Sequence, residues 1–253
     1  MMGNLMSAAT ALTVPHYAGM AVVVFAAALL QGMGGVGFAM VSAPLSLLFF
    51  PELAPGPLLL LGAALAALGA VREWQAIDWP DTAALMSGRL VGSFAAGALL
   101  VVLPADGFAI LFAVIILVGV GFSFAGWRVK ATRPAMVVAG VASGLMGTIT
   151  SSGAPPIAIV MQNMPAARLR ATVSSFFVLG ALLSLGILYS VGRFGMTECG
   201  LGLILAPAMM LGFLASGPAK GHLSQAHLRI GLLLMSATGA IAILLRTLVA
   251  LVA

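Results

Sequence analysis

The chain has 253 residues, of which 62% are hydrophobic and 7% charged, and its formal net charge is +5. A soluble domain carries about 25% charged residues, so this chain cannot cover a water-facing surface and reads as a polytopic membrane protein. Apolar stretches of about 20 residues recur along its length, which excludes the ten-residue alternation of a β-barrel.

The positive charge reads as topology, because basic residues stay on the cytoplasmic side. Nucleic acid is excluded as a partner: no basic cluster exceeds Arg128, Lys130 and Arg133. Cys199 is the single cysteine, so neither a disulfide framework nor a cysteine-rich metal site is available. His16, His222 and His227 have no metal-ligand spacing.

Residues 1–16 read as a short tail without the features of a signal peptide. Two helical pieces follow at 17–31 and 38–50, separated by GMGGVG. Full spans are expected at 57–73, 82–102 and 107–126. A basic cytoplasmic loop occupies 128–134. Two further pieces, 135–147 and 154–163, flank a polar break. Spans at 169–190, 198–217 and 228–249 complete the chain.

The order repeats. A shift of 112 positions lays QGMGGVGFAMVSAP (31–44) over SGLMGTITSSGAPP (143–156), with Gly32 on Gly144 and Pro44 on Pro156. A shift of 120 lays RLVGSFAAG (89–97) over MMLGFLASG (209–217) and Gly119 over Gly239. The chain therefore reads as repeat 1 (17–127) and repeat 2 (135–249), each a broken-helix or re-entrant hairpin (17–50 and 135–163) plus three transmembrane helices. Secondary transporters are commonly built this way.

The 34 residues of the first hairpin would make one helix about 51 Å long, against a hydrocarbon core of roughly 30 Å. If each broken segment crosses once, the eleven basic residues divide seven to four. If each returns, they divide nine to two, with only Arg193 and Arg246 in the minority. The positive-inside rule favours the returning hairpin. Three crossings per repeat then invert one repeat relative to the other and leave both termini outside the cytoplasm.

Backbone that leaves a helix at membrane depth must be buried in protein or line a polar cavity. Each break also opens a new helix, whose first N–H groups suit an anion. The candidate substrate-binding residues are Gln31, Gly32, Gly34, Gly35 and Gly37 at the first tip. At the second they are Ser143, Gly144, Gly147, Thr148, Thr150, Ser151, Ser152 and Gly153. The hydroxyls would donate to an oxyanion, and the glycines would admit it to the backbone. For any single glycine close helix packing is the better reading, whereas the two breaks together favour a ligand site.

All six acidic residues fall in loops or at span ends, so the inventory suits an anionic or neutral substrate. Arg89 is the deepest charge, seven residues or about 10 Å into its span. It either snorkels to the cytoplasmic surface or lines an inner vestibule. No cofactor motif, nucleotide loop, HExxH or GxSxG is found. GMGGVG does not follow a strand, so it is not a dinucleotide site.

The paired segments QGMGGVGFAMVSAP and SGLMGTITSSGAPP, followed by VGSFAAG and LGFLASG, resemble the TauE/SafE family of sulfite and organosulfonate exporters. The resemblance extends over about residues 17–249. It implies a bacterial inner-membrane carrier for small sulfur-containing or related anions. It carries the family's glycine-rich segments onto Gly32, Gly34, Gly35 and Pro44, and onto Gly144, Gly147, Gly153 and Pro156. The first repeat is poor in hydroxyls, so an oxyanion site would be asymmetric and led by the second tip. The expected mechanism is alternating access around the two tips. A passive anion channel on the same scaffold is the alternative, and a membrane enzyme or assembly partner a remote third. Two repeats closing one bundle suit a monomer and leave the oligomeric state open.

Overall fold

A computed structural model of the protein describes residues 14–34, 37–125, 129–219 and 225–252. The described residues form ten α-helices and two short 3-10 turns, with no strand among them. The helices are α1 Val14–Gly34, α2 Phe38–Phe49, α3 Gly56–Arg72, α4 Trp79–Val102, α5 Ala105–Phe124, α6 Arg133–Thr150, α7 Ala154–Met161, α8 Ala166–Ser190, α9 Met196–Ala219 and α10 Gln225–Val252. Six of them (α1, α4, α5, α8, α9 and α10) are long and apolar enough to cross a membrane. Large apolar side chains such as Phe94, Leu203, Leu211 and Leu214 are more than half exposed on their outer faces. Such a surface suits lipid and not water. The chain is an all-helical, multi-pass membrane protein.

Helix starts lie earlier than expected, for local chemical reasons. Asp78 caps α4 by accepting the Asp81 N–H at 2.9 Å, and Pro80 occupies the first turn, where its missing N–H costs nothing. The helix therefore begins at Trp79 rather than at 82. α1 already begins at Val14, inside the stretch read as a tail, and residues 1–13 lie outside those described. Arg128, the first residue of the basic loop, and the first-tip residue Gly35 also lie outside them.

Both broken segments fold back on themselves. In the first, Phe38 N–H donates to Gln31 Oε1 at 2.9 Å beside the break. At the far end His16 pairs with Glu52 and packs edge-on against Phe50. In the second, Ser143 Oγ donates to the Gly153 carbonyl at 2.7 Å. Further from the break, Met161 joins Met136 and Ala139 in one buried cluster. Each pair is thus an antiparallel hairpin.

The packing pairs one half with the other. α4 lies along α6 as α9 lies along α1, and α2 meets α10 as α7 meets α5. α3 packs against α8. These two run antiparallel: Gly56 faces Phe194, Gly69 faces Ser174, and Glu73 pairs with Arg170.

The register of the two halves differs in part from the sequence superposition. A shift of 116, not 112, carries the end of α1 (Gly34) onto the end of α6 (Thr150) and the start of α2 (Phe38) onto the start of α7 (Ala154). The same 116 relates Phe25 to Val141, whose carbonyls face Gly212 and Gly92, themselves 120 apart. Four residues are about one helical turn, so small residues a turn out of place still fall near the same face. Further along, Gly119 meets Pro155 and Gly239 meets Pro44, which restores the proline correspondence to within one position. The extra turn belongs to α2, which begins six residues before its proline, whereas Pro155 and Pro156 open α7.

Candidate functional site

The site is built where α4, α6, α7 and α8 converge. α4 and α6 approach backbone to backbone. A Cβ at Gly88 or Gly92 would run into the carbonyls of Val137 or Val141, and one at Gly140 or Gly144 into those of Leu85 or Arg89. Glycines four apart on both helices make this approach possible, in the manner of close membrane-helix pairs. It brings the side chain of Arg89 across to the second tip.

Arg89 neither snorkels nor faces a vestibule. With α4 beginning at Trp79, it stands ten residues, about 15 Å, from the helix start and near the middle of 24 residues. It is 2% exposed. Nη1 donates to Ser143 Oγ at 3.2 Å and Nη2 to Ser184 Oγ at 3.4 Å. The Phe176 ring covers the guanidinium at 5.0 Å. Nε has no hydrogen-bond partner. Gly147, Gly153 and Gly180 surround the group, and a Cβ on Gly180 would meet Nε and Cζ directly.

No carboxylate reaches this arginine among the described residues. Glu73 holds Arg170, and Asp78 and Asp81 hold Arg168 near the start of α8. Glu52 holds His16, and Glu198 accepts the Gly195 N–H. A buried cation carries a desolvation cost of several kcal/mol. An aromatic face and two hydroxyls return about 2 kcal/mol and 1–3 kcal/mol respectively. A guanidinium offers only donors, so the chemical complement of this cage is an anion.

The tip reinforces that character. Ser143 relays the guanidinium to the Gly153 carbonyl, and Thr148 shares a hydrogen bond with Ser184 at 2.8 Å. Thr150 Oγ1 donates to the Met146 carbonyl at 2.8 Å and accepts the Ser152 N–H at 3.2 Å. Ser151 turns the chain in the left-handed conformation (φ 61°), and its hydroxyl donates to the Pro55 carbonyl at 2.9 Å. Ser152 lines a small cleft, with Pro155, Met146, Gly119, Ser236 and Met40. The cleft therefore lies between the second tip and the start of α2.

The expected site residues are thus divided. Ser143, Gly147, Thr148 and Gly153 meet around Arg89, and Ser152 faces the cleft. Gly144 seats α6 on α4, and Gly32 seats α1 against Ser216 and Phe213. Gln31 caps the start of α2, and Gly37 supplies a positive φ (143°) there. Gly34 ends α1. The glycines at 147 and 153 leave room at the tip for Ser143 and the Arg89 guanidinium. The free N–H groups expected at the start of α7 are reduced, because Pro155 and Pro156 occupy its first turn. Ser184, Phe176 and Gly180 had no place in the sequence reading, although their four-residue spacing puts them on one helix face.

The sulfite exporter TauE/SafE family model matches residues 20–243. The chain belongs to that family. No curated protein and no solved structure matches it significantly. A TauE/SafE chain is a sulfite-exporter-type membrane transporter, and transport rather than enzymatic conversion is the activity of the family. The match contains both tips, the α4–α6 seam and Arg89.

Proposed function

We propose that this TauE/SafE protein carries small oxyanions of the sulfite and sulfonate type by alternating access, with the substrate held at the second tip. The observation that carries the reading is Arg89, a buried mid-helix cation with no carboxylate partner among the described residues, held by Ser143 and Ser184 at the second tip. The antiparallel packing of α3 on α8 and the exchange-related helix contacts support two inverted repeats. The backbone-tight pairs α4–α6 and α1–α9 would move as units, each carrying one arm of a hairpin. The substrate would lie between the tips, its negative charge answered by Arg89 and its oxygens by Ser152 and the neighbouring hydroxyls.

Flux of labelled sulfite and methanesulfonate into proteoliposomes tests the reading. Saturable flux with trans-stimulation is expected. Linear flux without counterflow would point to a channel, and no flux of either anion would defeat the proposal. In cells of a bacterial host, a C-terminal alkaline phosphatase fusion should be active and a fluorescent-protein fusion dark, as inner-membrane insertion with both termini outside the cytoplasm requires.

A further inference from the structure

We infer that Arg168 latches the protein shut at one end: its ion pairs with Asp78 and Asp81 hold the start of α4 against the start of α8 and break each time that end opens. The inference rests on the rocking of helix units proposed above. α4 and α8 run side by side from their starts. Besides the ion pairs, Asp78 N–H donates to Thr172 Oγ1 at 3.0 Å, and Thr82 and Ser175 share a hydrogen bond at 3.3 Å. All these contacts cross from α4 and its cap to α8. α4 is bound backbone to backbone to α6, whereas α8 packs along α3. The Arg168 cluster therefore spans two separately packed helix pairs. Arg170, two residues on, differs in this respect. Its partner Glu73 directly follows the last turn of α3, so that ion pair lies inside the α3–α8 pair and resists no rocking of α4.

The two ends of the α4–α8 seam are unlike. Further along it Gly97 meets Ile187, and at the far end Arg193 donates to the Leu100 carbonyl at 3.3 Å. α3, the antiparallel neighbour of α8, opens with GPLLLL and carries no charged residue before Arg72, so it has no counterpart to Arg168. Glu52 holds His16, and Glu198 accepts the Gly195 N–H. Among the described residues, every ion pair between the first and second halves of the chain thus lies where α4 and α8 begin. The positive-inside reading puts that end in the cytoplasm. Partly exposed ion pairs are individually weak and are screened by salt. Weakness suits a latch, because an interaction too small to decide folding still shifts a two-state equilibrium severalfold.

Ser175→Cys in a Cys199→Ser background reports on the seam, because Ser175 is 5% exposed and bonded to Thr82, about two turns along α8 from Arg168. The full chain is purified in detergent and treated with a charged methanethiosulfonate, whose rate of reaction follows the population of the open seam. Arg168→Ala should speed the reaction about tenfold. Arg170→Ala, at a site of similar exposure, should leave it unchanged, and Arg168→Lys should restore most of the slow rate. High salt should speed the parent protein but not Arg168→Ala. If Arg168→Ala does not fold, Asp81→Asn, which keeps the Asp78 cap, should speed the reaction about threefold. An unchanged rate in the folded Arg168 or Asp81 variant overturns the latch, and so does equal acceleration by Arg170→Ala. Sulfite and methanesulfonate flux in proteoliposomes is read separately. Saturable flux with an unchanged labelling rate defeats the latch and leaves the carrier reading standing. Faster labelling in Arg168→Ala, with no flux through the wild type, upholds the latch and defeats the carrier.

Discussion

Gly180 lies against the Nε of Arg89 so closely that no side chain fits between them. Phe176, one turn earlier on α8, covers the guanidinium, and Ser184, one turn later, accepts from it. One face of one helix therefore decides where the charge of α4 can sit. An alanine at 180 would displace the guanidinium, because its Cβ would lie within 2.0–2.5 Å of Nε, Cζ and Cδ. Gly180→Ala should lower thermal stability by about 1–3 kcal/mol and abolish flux. Pairing it with Arg89→Ala should recover stability but not transport. Thermal unfolding and flux on the same preparations check both.

Arg89 itself should separate stability from function. Replacing a buried ion by an apolar side chain of similar length is often neutral or stabilising. Arg89→Met is expected to unfold at a temperature equal to or above that of wild type while losing anion flux. Arg89→Lys keeps the charge but cannot span Ser143 and Ser184 together, so it should retain weak flux with a raised KM. A large loss of stability in Arg89→Met would make the arginine a structural brace instead.

The adjacent serines of the tip should behave differently. Ser151 is bound to the Pro55 carbonyl and strained in the left-handed region, whereas Ser152 faces the cleft. Ser151→Ala loses the bond and keeps the strain, at a cost of about 1–2 kcal/mol in stability. Ser152→Ala should leave the unfolding temperature unchanged and raise KM severalfold. Equal effects on both quantities in the two variants would contradict this division.

The α4–α6 seam makes a different kind of prediction. A methyl group at Gly92 would collide with the Val141 carbonyl, which is backbone and cannot change rotamer. Gly92→Ala should therefore destabilise by about 3 kcal/mol or more, at the upper end of the range for overpacking. Gly121, with nothing near it, should accept alanine with little change in stability. Denaturation of the two variants in one detergent provides the comparison.

The ion pairs near the start of α8 should contribute little by themselves. Arg168 and Arg170 are about half exposed, at 46% and 55% of their side-chain surface. Arg170→Ala is expected to cost under about 1 kcal/mol, and the loss should shrink further in high salt. A salt series of unfolding temperatures checks it.

Membrane residence, the helical architecture, the two breaks and the family were legible in the chain itself. Hydropathy and glycine spacing are local properties, and they survive without knowledge of the fold. The sequence also showed an arginine unusually deep in a span. It could not show how deep, because the Asp78 cap and Pro80 lengthen α4 at its start and carry Arg89 to the middle. Nor could it show what meets that arginine. Ser143, Gly153, Phe176 and Ser184 come from α6, from the tip before α7 and from α8, and the glycine-tight approach of α4 to α6 carries Arg89 to them. The order of apolar and small residues along the chain determined that this protein is a helical membrane bundle with two glycine-rich breaks. Tertiary packing alone decided that the second break meets a buried cation, Arg89, because a buried charge is defined by its neighbours in space.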